Sequence, residues 1–183
     1  MFERKKANDE LREKEWSACL LTQFSLGQYA QTLIRLKSQF LDGVKGNSDR
    51  HLIIKHVSFD DRLPEIDINS LGFILTTKEP DLLNRIQNAF SNCKSAIDSV
   101  KERNVQYRHV ASLAELIQNP SGDHQYKLPE IEVKLLSDFT DNMYEQIDYT
   151  MNMLPETQKA LHDFIKANFK GKHALKMIDI HKN

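Results

Sequence analysis

Apolar residues recur at three- and four-residue steps over three long stretches of this chain, and most of its glycines and prolines fall between those stretches. Such spacing puts the apolar side chains on one side of a 3.6-residue helix. From about Asn8 to Leu41 the stripe is Trp16, Cys19, Leu20, Leu26, Leu33, Ile34, Phe40 and Leu41. Gly27 is its weak point, costing about 1 kcal/mol relative to alanine. The regularity is greatest after Pro80. Leu83, Ile86, Phe90, Cys93, Ile97, Val100, Asn104, Tyr107, Ala111 and Ala114 alternate steps of three and four without error, a heptad seam of the coiled-coil kind. It predicts one rod from Asp81 to Gln118, about 57 Å long, with the first helix as its antiparallel neighbour.

The third stripe runs through Leu128, Ile131, Leu135, Leu136, Phe139, Met143, Ile147, Met151 and Leu154 behind a first-turn proline, Pro129. Many of its steps are fours, so the stripe drifts round the helix and its two ends should meet different neighbours. Pro155 is expected to break or kink this helix, which resumes to Lys170 with Gly171 as its C-cap. Between the helices, Gly43 to Asp49 reads as a loop, and His51 to Phe59 as a short strand or an irregular packed segment capping one end. Asp67 is the predicted N-cap of a short helix over Ile68 to Leu75. Asn119 to Gln125 is a turn-rich connector. The expected fold is therefore all-α: an elongated antiparallel bundle of three long helices plus short helices. Residues 1–171 form one domain and 172–183 a C-terminal tail, with a strand over Lys176 to Ile180 beside Leu52 to Val57 as the costlier alternative.

Composition agrees with this picture. Of 183 residues, 40% are hydrophobic and 28% charged, a balance suited to long solvated helices. A formal charge of −1 gives no overall attraction to nucleic acid, and no basic stripe is interleaved with aromatics, so no nucleic-acid partner is expected. Two distant cysteines, Cys19 and Cys93, make no disulfide framework and point to a reducing, cytoplasmic setting. No apolar run approaches the roughly 20 residues of a membrane span. The first fifteen residues carry ten charges and no signal-peptide core. Charge is uneven further on: six acids stand against Lys134 between Leu128 and Leu154, and six lysines against three acids after Pro155.

Reactive chemistry is sparse. No carboxylate is followed three residues later by histidine, as a di-metal bundle requires, and no His-Glu-x-x-His, Cys-x-x-Cys, phosphate-binding glycine loop or Gly-x-Ser-x-Gly occurs. His51, His56 and Asp60 are the only local ligand-like cluster and lack the further ligands a metal needs. Both cysteines sit on apolar stripes, and His109 is about 24 Å along the helix from Cys93, too far to activate it. No metal, cofactor or catalytic residue is expected. Two residues stand out as interaction or assembly candidates. Asn104 is an amide at a seam position, able to fix register or oligomeric state, or else to meet water or a neighbouring backbone. Trp16 is the sole tryptophan, a core residue or an interface anchor beside a charged arm.

The segment Leu71-Gly-Phe-Ile-Leu75, followed by Pro80, Leu82, Leu83, Ile86 and then Arg103-Asn104, resembles uncharacterised bacterial helical proteins that carry an N-terminal membrane anchor. The likeness covers about a fifth of the chain and implies a helical bundle at the inner face of a membrane, with no activity attached. Only Met1 to Glu3 stand before Arg4-Lys5-Lys6 here, which leaves two expectations: an anchor removed from the chain, or a soluble protein that shares only the bundle. The reading that follows is a non-catalytic helical interaction or scaffold module, with a protein partner or self-association. Membrane-surface contact would run through Arg4 to Lys6 or the lysine-rich terminus. The alternative is a small-molecule sensor or enzyme with a pocket between helices, drawing on Tyr107, Tyr144, Tyr149, Met143 and Met151.

Overall fold

A computed structural model describes residues 2–59, 62–118 and 124–176. The protein is all-α. Three long helices, α1 (Phe2–Leu36), α3 (Asp81–Ser112) and α4 (Glu130–Asn168), are joined by a short α2 (Arg50–Ile53), a 3-10 helix (Ile68–Thr76) and one antiparallel hairpin, β1 (Glu115–Gln118) with β2 (His124–Lys127).

The order of the rods differs from the expected one. Arg85 reaches Glu156, Thr150 reaches Asn92 and Gln106 reaches Glu132, so α3 and α4 run antiparallel along their whole length. Arg12 to Asn168, Gln23 to His162 and Lys37 to Asp148 make α1 antiparallel to α4 as well. Hence α1 and α3 are parallel and touch through contacts such as the edge-on rings of Tyr29 and Phe90, 5.7 Å apart. The central rod is α4. Its drifting stripe fits this place: α1 covers the half with buried Leu154, Leu161, Phe164 and Ile165, the 45–57 segment reaches the half with buried Leu136, Met143 and Ile147, and α3 contacts both halves. The helix runs through Pro155 without a break, flanked by buried Leu154 and Thr157. Packing on both sides holds the turn that loses a backbone hydrogen bond to the proline.

The rod after Pro80 is a single helix, but it ends at Ser112 rather than Gln118, for a length of about 48 Å. Of the last predicted seam positions Ala111 is exposed and Ala114 half-buried outside the helix, and Glu115 to Gln118 instead pair with His124 to Lys127. Residues 119–123 of the predicted connector lie outside the described residues, as do residues 177–180 of the alternative strand. Asp67 caps as expected, its carboxylate accepting from the Asn69 N–H at 3.1 Å, although the helix it opens is of the tighter 3-10 kind. The first helix closes in a wide π turn over Lys37–Leu41, which buries Leu41 and leaves Phe40 outside. Its carbonyl at Leu41 accepts from the Tyr144 hydroxyl at 2.8 Å.

Beyond that turn residues 50–57 replace α1 as the layer against α3 and α4. At the opposite end, residues 3–14 of α1 are exposed, with Arg12 reaching the Asn168 carbonyl and Glu13 reaching Lys172.

Candidate functional site

The helical column one residue before the seam on α3 is Leu82, Ala89, Ala96, Arg103 and Val110, and all five are buried. Arginine in such a column cannot leave its charge in water. Arg103 is fully buried, and its guanidinium donates to the carbonyls of Lys55 at 2.7 Å, His51 at 2.9 Å and Ile54. The His51 carbonyl is one that the end of α2 leaves without an intrahelical partner, and those of Ile54 and Lys55 follow directly after the helix. The Tyr107 ring lies 4.9 Å beneath the guanidinium. Burial pulls the Arg103 pKa down to about 10, with Tyr107 and Tyr144 opposing, so the group stays charged at neutral pH. Its Nε and the nearby buried Nδ1 of His51 have no partner among the described residues.

Asn104, next on the helix, completes the anchor. Its Oδ1 accepts from the Val57 N–H at 2.9 Å and its Nδ2 donates to the Val57 carbonyl at 2.7 Å. The seam amide thus meets a neighbouring backbone, and both its polar atoms are used inside one chain. Two consecutive side chains of α3 hold residues 51–57 by main-chain atoms alone, letting Ile54 and Val57 enter the core.

Ion pairs flank this anchor. Asp148 accepts from Lys37 at 2.7 Å and Lys45 at 2.6 Å, and Arg50 reaches Asp141 at 2.8 Å while lying 5.1 Å from the Tyr144 ring centre. Burial raises the Asp148 pKa, but the two lysine hydrogen bonds outweigh it, so the carboxyl titrates below its ordinary value.

A second amide performs the same task at the other end. Gln23 on α1 accepts from the Leu175 N–H and donates to the Leu175 carbonyl, both at 3.0 Å, with His162 Nδ1 3.3 Å from its Nε2. Trp16, the other residue singled out, is half-buried. Its indole N–H lies 3.4 Å from the His173 carbonyl, and Lys172 sits 4.6 Å over its ring and 2.5 Å from Glu13.

The other face of α1 is open. A groove of about 760 Å³ runs from Glu10 to Ser25 on one wall, with Pro64 to Ser70 opposite. Leu21 is 67% exposed and Phe24 50%. Glu10, Glu13, Glu65 and Asp67 line it against one lysine, Lys14. A further apolar patch lies at the hairpin end, where Leu116 pairs with Tyr126 and both are exposed.

The residues of the pocket alternative go to separate places. Met143 is in the core, Tyr144 bonds Leu41, Tyr107 lies under Arg103, and Tyr149 is exposed in a shallow cleft beside Arg85. Cys19 and Cys93 are buried, which pushes both thiols up to about 12; Glu15 adds to the effect at Cys19. Of the ligand-like cluster, His51 is buried, His56 lies 3.4 Å from the Ser58 hydroxyl, and Asp60 falls outside the described residues. Among the described residues no three His, Cys, Asp or Glu side chains gather to hold a metal ion, and no helix is long and apolar enough to cross a membrane.

Comparison with protein-family models finds no match. Neither curated proteins nor solved structures yield one.

Proposed function

We propose that this protein is a non-catalytic helical interaction module that receives an amphipathic helix of a partner protein in the groove along α1. The observation that carries this reading is the shape and lining of that groove. One wall is a straight helical edge from Glu10 to Ser25, about 24 Å or four turns long. Leu21, Phe24, Ala18 and Ile66 supply apolar contact, and exposed Leu21 and Phe24 stand where the side chains of a docked helix would cover them. Helix-in-groove recognition uses apolar anchors at i, i+3, i+4 and i+7 over this length. Four carboxylates line the groove against one ammonium; Glu13 is paired with Lys172 and Glu65 with Lys94, while Glu10 and Asp67 keep the groove acidic and select a partner with lysine or arginine beside its apolar stripe. A scaffold role suits the described remainder of the chain, where the buried polar side chains of Arg103, Asn104 and Gln23 hold backbone in place.

The test is a designed amphipathic helix of about 16 residues, made in two versions with lysine or glutamate flanking one leucine stripe. The lysine version is expected to bind and to shift the amide resonances of Ser17 to Ser25 and Pro64 to Ser70, and Leu21→Glu is expected to abolish binding. Equal binding of both versions, or shifts confined to the hairpin end, would contradict the proposal.

A further inference from the structure

The Gln23 amide is 5% exposed and set in place by His162, yet what it holds is not part of the helical core. It holds a short extended strap, Lys172 to Lys176, which follows the left-handed turn at Gly171 (φ +81°) and lies back across α1. We propose that the Trp16–Gln23 edge of α1 is a binding site for an extended peptide of the pattern basic, any, small, leucine-like, and that residues 172–175 are its resident occupant in cis.

Every polar contact in the site reads main chain or a cation. The Gln23 amide takes both backbone groups of one residue, as an added strand would. The Trp16 indole takes the carbonyl two residues earlier, which lies on the same edge of an extended chain. Selectivity enters at two positions. Lys172 sits between the Trp16 ring and the Glu13 carboxylate, a place that accepts a cation and rejects an anion. Ala174 is half-buried and packs its methyl group against the core, a position that favours a small residue.

Retention of the strap is weak. Leu175 is 39% exposed, Lys172 and Lys176 are exposed, and the strap adds little to the core beyond Ala174. Segments with few buried apolar contacts open locally at small cost. Beside Leu175 and Lys176 a cavity of about 270 Å³ opens around Gly27, lined by Gln28, Gln31 and Gln158, whose amides suit an extended backbone. This site shares Glu13 and Phe24 with the helix-docking groove, but its reporter, Trp16, does not line that groove, so the two proposals are read out separately.

Trp16 is the only tryptophan, so its emission reports the site. In the full chain, Leu175→Pro removes the N–H that donates to Gln23 and is expected to shift Trp16 emission to the red with unchanged helical circular dichroism. A capped peptide of residues 171–176 should then restore the wild-type emission saturably. The same peptide with Lys172→Glu should bind about tenfold more weakly, and Gln23→Ala in the same background should abolish the response. If Leu175→Pro alters the fold, Ala174→Arg, too large for the space the methyl group fills, serves in its place. Unchanged emission in the strap variant, no recovery with peptide, or equal recovery with a scrambled peptide would each overturn the proposal.

Discussion

Two primary amides in this protein make the same pair of hydrogen bonds to an extended backbone, and the difference between their surroundings separates structure from exchangeable contact. Asn104 holds Val57, which is 2% exposed, beside the fully buried Arg103 and its three carbonyl partners. Gln23 holds Leu175, which is 39% exposed, beside an ion pair at the surface. An amide bond pair is worth about 1 kcal/mol per hydrogen bond wherever it forms, but leaving buried partners unmade costs more. The inner anchor is therefore bound to the global fold, whereas the outer clamp opens on its own.

The largest effect should come from Arg103. Arg103→Met keeps the stem and strips three carbonyls of their donor, and we expect a loss of about 3 kcal/mol in urea unfolding. Arg103→Lys should recover little, because one ammonium cannot span the fork that three carbonyls share. A loss below about 1 kcal/mol, the scale of an exposed ion pair, would remove the inner anchor from the comparison.

Asn104→Leu should follow at about 2 kcal/mol, since the Val57 N–H and carbonyl stay buried without partners. Its mass by light scattering should equal that of the wild type. A change of mass with stability intact would mean that the amide specifies assembly instead.

Asp148 sharpens the inner side of the comparison through pH. Its folded-state pKa is depressed, so the unfolded chain binds more protons as acid is added and the stabilisation is present above the unfolded value. That contribution is lost as pH falls through the lowered folded value. The stability difference between wild type and Asp148→Asn should accordingly be largest near neutrality and vanish in strong acid. A difference independent of pH would remove the ion pairs with Lys37 and Lys45 from the account.

The smallest global effect belongs to Gln23→Ala, at most about 1 kcal/mol, because the strap is released to water that can solvate it. Its signature is local: a red shift of Trp16 emission at unchanged cooperativity of unfolding. Loss of stability comparable to Asn104→Leu would erase the distinction between the two amides.

The three rods were readable because their apolar spacing persists over many turns, and the seam from Leu83 to Val100 is buried or half-buried throughout. Their order was not. Which rod lies between the others depends on faces that one stripe cannot reveal, and the drift of the α4 stripe was the only local sign that it serves two neighbours. The end of α3 was misplaced because Glu115 to Gln118 suits a helix as well as a strand, and only pairing with His124 to Lys127 decides. Asn104 was legible as an exception on the seam. Arg103 carried an equal signal, as the polar member of the column Leu82, Ala89, Ala96, Val110, but that column becomes visible only when a second row beside the seam is read. The Gln23 clamp left no sequence signal, since nothing in a glutamine's spacing shows that a strap over a hundred residues away will lie across it.

Hydrogen exchange at two backbone sites tests the central distinction most directly, because the Val57 and Leu175 N–H groups each donate to a side-chain amide oxygen. The Val57 N–H should exchange only through global unfolding, with a protection free energy equal to the stability from denaturant titration, and the Leu175 N–H through local opening at least about a hundredfold faster. Equal protection at the two sites would contradict the account.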